Sequence, residues 1–152
     1  MTELETRIHS DIVAAMKRRD DASLIPLRML KAAVDNARIE KGREAPFSED
    51  DVFAVIRRLV KQRKESAEQF SAGGAHSRAE EETREAELLS SFLPAPLDDG
   101  EIASVARRVI SATGAAGPSD MGRVMGASMA ELKGRTEGER VRKIVAELLA
   151  SL

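Results

Sequence analysis

Apolar residues recur along nearly the whole chain at spacings of three and four, the period of an amphipathic helix, and no stretch alternates long enough to make a strand. Leu4, Ile8, Ile12 and Met16 form the stripe of a first helix, opened by a capping box of Thr2 and Glu5. Leu27, Leu30, Val34 and Ala37 form a second stripe, closed by Gly42. Ser48 reads as the N-cap of a long third helix, with acids in its first turn and Val52, Val55, Ile56, Leu59 and Phe70 along its apolar side. "SAGGAHS" interrupts the pattern, and a fourth helix, acidic at its start (Glu80, Glu81, Glu82, Glu85), runs to Phe92. Pro94 and Pro96 stiffen a short linker. Asp98 with Glu101 starts a fifth helix carrying Ile102, Val105, Val109 and Ile110. After the loop "GAAGPS" come two more helices, the last carrying Val141, Ile144, Val145, Leu148 and Leu149. The pattern predicts an all-α chain: a four-helix N-terminal domain over 1–93, then a small three-helix domain over 97–152.

The sixth helix breaks a rule. "DMGRVMGASMAELKGR" carries Gly122 and Gly126 in its interior, each costing roughly 1 kcal/mol against alanine. At 100° per residue, Met121, Val124, Met125, Met129 and Leu132 share one apolar arc, while Gly122, Gly126 and Lys133 share a strip beside it. A strip without side chains admits another backbone, either a packed helix or a nucleic-acid sugar–phosphate chain. Gly134 is placed to end the helix in the left-handed conformation, setting Lys133 and Arg135 at a tight corner. Thr136 would N-cap the last helix, with Glu139 completing a capping box. Two cations at a glycine corner suit a phosphate. Arg123, Arg140, Arg142 and Lys143 add nearby charge, whereas Glu137 and Glu139 disfavour an anion on the last helix's own N-terminus. From Met121 to Leu152 there are six basic and four acidic residues, so binding by this piece alone is expected to be weak.

A second cluster lies in the third helix. Arg57 to Lys64 contains five basic residues in eight positions and no acid. Arg57, Lys61 and Lys64 fall on one outward face; Arg63 falls among Ile56, Leu59, Ala67 and Phe70. An arginine on an apolar face must find an acid or reach out to water. Glu82 and Glu85 of the fourth helix are the natural partners. The outcome is either an ion pair fixing two helices or a pocket in which Lys61, Gln62 and Arg63 bind a ligand or partner.

Composition narrows the functions. The chain has 152 residues and a net charge of −2, so any electrostatic function must be local. The absence of cysteine removes thiolate catalysis, disulfides and Cys-based zinc sites. His9 and His76 stand alone and read as surface residues, one in the first helix and one in a loop; neither implies a metal, and no phosphate loop or other sign of a cofactor is present. With no Tyr or Trp and four Phe, single-strand binding by base stacking is disfavoured. The N-terminal stretch has no apolar h-region, which with the lack of cysteine fits a cytoplasmic address.

"DMGRVMGASMAELKGRTEGERVRKIVAELL" resembles the tail domain of the GatB/YqeY family, and "LIPLRMLKAAVDNARIEKG", "VIRRLVKQRKESAEQF" and "EEETREAELLSSFLPAPL" look like its free-standing YqeY-like members. One departure is Thr136-Glu137, where the family usually has Ala-Asp. The resemblance implies a module similar to the part of tRNA-dependent amidotransferase that contacts the tRNA body, without the cradle in which the chemistry occurs. It implies a non-catalytic tRNA-binding accessory protein with Gly122, Arg123, Gly126, Lys133, Gly134, Arg135, Arg142 and Lys143 on the RNA. The family's Lys-Gln-Arg-x-Glu-Ser motif adds Glu65 and Ser66 to Lys61, Gln62 and Arg63. Two alternatives stand beside it. One is a module that docks an aminoacylation or translation enzyme through the basic cluster and the methionine arc. The other is glutamine-dependent carbon–nitrogen ligation, for which no catalytic constellation appears.

Overall fold

The computed structural model describes residues 1–132 and 135–152. Among them the chain forms seven α-helices and no strand: α1 (Glu3–Arg18), α2 (Asp21–Lys41), α3 (Glu49–Ala72), α4 (His76–Ser90), α5 (Asp99–Thr113), α6 (Met121–Leu132) and α7 (Gly138–Ala150), with a 3-10 turn at Pro118–Asp120 before α6. They fall into two compact units, Met1–Leu93 and Pro94–Leu152.

In the first unit α1 to α4 close on one core that includes Ile8, Leu27, Leu30, Val52, Ile56, Leu89 and Phe92. The Thr2–Glu5 capping box opens α1. Its buried stripe is Leu4, Ile8, Ile12 and Ala15, while Met16 is 51% exposed. Steps of four residues advance 400°, so each drifts 40° round the helix; by the third step position 16 has rotated off the core and Ala15 replaces it. Asp20, whose side chain accepts from the Ser23 N–H at 3.2 Å, caps α2.

α3 and α4 form a long antiparallel hairpin. α4 begins at His76, four residues before the first of its acids, so Glu80 to Glu85 occupy its second and third turns and His76 is helical rather than in a loop. The hairpin is anchored only at its root. No side chain on α3 beyond Arg63, and none on α4 before Ala86, is buried.

The link from α2 to α3 is held by one carboxylate. Asp51 accepts hydrogen bonds from Lys41 Nζ at 2.7 Å, from the Ser48 N–H at 2.8 Å and from Ser48 Oγ at 3.1 Å. The Lys41 contact foremost, then the Ser48 N–H, lowers its pKa to about 2.

The second unit buries Leu97, Ile102, Ala106, Val109, Ile110, Val124, Leu132, Val141, Val145 and Leu149. The Asp98–Glu101 capping box starts α5. Thr136 does not cap α7: the helix starts at Gly138 with Glu137 as N-cap, and the Thr136 hydroxyl is buried without a partner among the described residues.

Because the Asp51 pKa is depressed on folding, its contribution to stability is present above the ordinary carboxylate value of about 4 and is lost as pH falls through about 2. Lys41→Ala is expected to move the Asp51 titration upward toward the ordinary value, read by carboxyl NMR. An unmoved titration would deny Lys41 its leading part.

Candidate functional site

α6 has two distinct faces. Val124, Ser128 and Leu132, one helical turn apart, are buried, and Met121, Met125 and Met129 pack half-buried on the same core. The methionine arc thus packs partly on the unit's own core, with some of each side chain still in solvent. Ser128 is a feature the apolar pattern hid: it is fully buried and its Oγ has no hydrogen-bond partner among the described residues.

The opposite face carries Gly122, Arg123, Gly126 and Ala130, all exposed. A Cβ placed on Gly122 or Gly126 would meet nothing within 4 Å. No neighbouring helix of the unit uses the space these glycines leave, so their helical cost is not offset by packing against the described residues.

The cations sort into engaged and exposed. Arg123 turns back onto Asp120, with Nη2 at 2.9 Å from Oδ1. Asp120 also accepts from the Ala116 N–H at 2.8 Å and the Gly117 N–H at 3.4 Å. The Ala116 hydrogen bond foremost, with Arg123 adding to it, holds its carboxyl below the usual range. Arg123 thus closes the turn that starts α6. Arg140 reaches Asp99 at 2.7 Å. Lys133 and Gly134 lie outside the described residues. Arg135 is exposed, and its backbone is fixed from both sides: its N–H donates to the Leu132 carbonyl at 3.0 Å and its carbonyl accepts from the Leu97 N–H at 3.4 Å. Arg142 and Lys143 are exposed on α7, Arg142 flanking the buried stripe of Val145 and Leu149 and Lys143 one turn from both Glu139 and Glu147. Gly122, Arg123 and Gly126 are thus brought onto the exposed side of α6, whereas Arg142 and Lys143, consecutive on α7, point about 100° apart.

The second cluster is gathered more tightly. Gln62, Arg63, Glu65 and Ser66 line an open groove of ≈ 610 Å³ together with Gln69, with Glu82 and Glu85 from α4, and with Met29 from α2. Lys61 is exposed and does not line the groove. Of the three cations assigned an outward face, Lys61 and Lys64 are exposed and Arg57 is half-buried. Arg63 is 7% exposed, and its Nε donates to Glu85 Oε2 at 3.0 Å. Its Nη2 donates to the Met29 sulfur at 3.5 Å. Of the two acids expected from the sequence, Glu85 makes the pair and Glu82 only lines the groove; nothing in the sequence pointed to Met29, which comes from a separate helix. Among the described residues no group of three or more His, Asp or Glu is arranged to hold a metal, and no helix is long and apolar enough to cross a membrane.

Residues 5–149 match the family model described as Yqey-like protein, so the chain belongs to that family. It is also similar to the Altered inheritance of mitochondria protein 41, mitochondrial, of Eremothecium gossypii, with 27% identity over 94 residues, 62% of this chain and 51% of the relative. The matched segment spans about half the length of that curated relative.

Two stability tests follow from this geometry. Gly126→Ala is expected to raise stability by about 1 kcal/mol in thermal melts, and Gly122→Ala, in the first turn of α6, by less, since the added methyl meets nothing at either position; destabilisation would show that the space is occupied. Glu85→Ala leaves Arg63 buried and unpaired and is expected to cost on the order of 2 kcal/mol in urea denaturation, less than for a fully buried pair because Glu85 is partly exposed. Arg63→Met with Glu85→Leu should recover most of that loss.

Proposed function

We propose that this Yqey-like protein is a non-catalytic RNA-binding accessory protein that receives the sugar–phosphate backbone of a folded RNA along α6. tRNA is the RNA favoured by the resemblance to the amidotransferase tail domain. The open space over Gly122 and Gly126 carries the reading. A protein gains nothing in stability from two glycines on an exposed helix face, but a bulky backbone ligand gains close approach. Arg135, Arg142 and Lys143 are exposed and able to meet phosphates, with Lys133 as the proposed fourth cation. The aromatic residues support shape and backbone recognition over stacking: Phe92 is buried, and Phe47, Phe53 and Phe70 are half-buried.

Contacts to two to four phosphates correspond to a log–log salt slope between about −2 and −4. Binding is therefore expected to be weak and strongly salt-dependent. In a titration of folded tRNA at two salt concentrations, Lys133→Glu with Arg135→Glu should abolish binding. Gly126→Phe, which blocks the strip without changing charge, should weaken it while leaving the fold intact. Wild-type affinity in both variants would defeat the proposal. An RNase-insensitive complex with an aminoacylation enzyme would favour the docking alternative, and transamidation by the purified chain would restore the enzymatic one.

A further inference from the structure

We propose that the groove between α3 and α4 is a binding site for a small zwitterion of α-amino-acid type. It lies in the first unit and is independent of the RNA reading. A buried guanidinium ordinarily directs its donors to oxygen. Arg63 satisfies this at Nε, through Glu85, but Nη2 meets only a thioether, a weak acceptor. The thioether belongs to Met29, whose side chain is unbranched and half in solvent. It can swing aside at little cost and leave the Nη edge to a carboxylate, the acceptor that fits a guanidinium best.

The rest of the groove asks for the opposite charge. Glu65 and Glu82 line it and make no ion pair among the described residues. Counting Glu85, three carboxylates face one arginine, so the groove as a whole is acidic. A plain anion would be repelled by the rim, and a plain cation would gain nothing from Arg63. A ligand with a carboxylate at one end and an ammonium at the other satisfies both. Gln62 and Gln69, one on each side of Ser66 along the α3 ridge, offer amide donors and acceptors to a polar side chain.

The test uses the full chain and the common L-α-amino acids, with matched amines lacking the carboxylate and acids lacking the amine. The readout is NMR shifts of the Met29 methyl and of the Gln62 and Gln69 side-chain amides. At least one amino acid should shift these signals saturably and bind at least about tenfold more tightly than either matched compound. Glu82→Gln should weaken that binding about tenfold without altering the fold. Met29→Glu offers Arg63 a carboxylate from the protein itself, so it should block the ligand while raising the melting temperature; this variant keeps Arg63 and does not depend on a destabilising change. Three results would overturn the proposal: no saturable shift with any amino acid, equal binding by the acid lacking an amine, or unchanged binding in Met29→Glu.

Discussion

A guanidinium withdrawn from water must be met by a carboxylate, and the first unit is arranged around that requirement. Arg63 sits on the apolar side of α3 and can stay there only because Glu85 of α4 reaches it. The pair fixes how the two longest-packed helices dock. It also brings Gln62, Glu65, Ser66 and Gln69 opposite Glu82, with Met29 of α2 closing the third side. An aliphatic pair would hold the hairpin as firmly, but it would leave no polar floor to the groove.

The second unit follows the contrary rule. There the conspicuous residues are those that do not pack. Val124, Ser128 and Leu132 complete the core of α6, and the face turned away from them is left bare at Gly122 and Gly126. A helix designed for stability would carry alanine at both positions. Two nearby cations serve the fold, Arg123 through Asp120 and Arg140 through Asp99, while Arg135, Arg142 and Lys143 remain exposed.

Helical periodicity made most of this legible from sequence, because it depends on rotation per residue and little else. The Thr2–Glu5 and Asp98–Glu101 caps and the buried position of Arg63 followed from spacing, and the acids of α4 narrowed its partner to two, of which packing selects Glu85. Features that depend on the ends of helices were harder. His76 and Thr136 were misplaced because "GGAHS" and "GRTEGE" each offer more than one starting point, and tertiary packing selects among them. Met16 was lost to the drift of a four-residue repeat. Asp20 carried the usual signal of a capping residue but stood beside a second aspartate. The approach of Met29 to Arg63 had no sequence signal, since contacts between distant helices leave no periodic trace.

The bare outer half of the α3–α4 hairpin has a consequence for how the protein opens. Its helices continue for roughly 15 Å past the last buried side chain, supported by each other and by Arg78 stacked on Phe70. Backbone amides there can exchange with deuterium by unzipping from the Gly73–Gly74 tip, leaving the core closed, while those next to Ile56 and Leu89 exchange only when the whole unit unfolds. Arg63 stands at the border between the two regimes, so whatever strengthens its environment also sets how far the fraying travels.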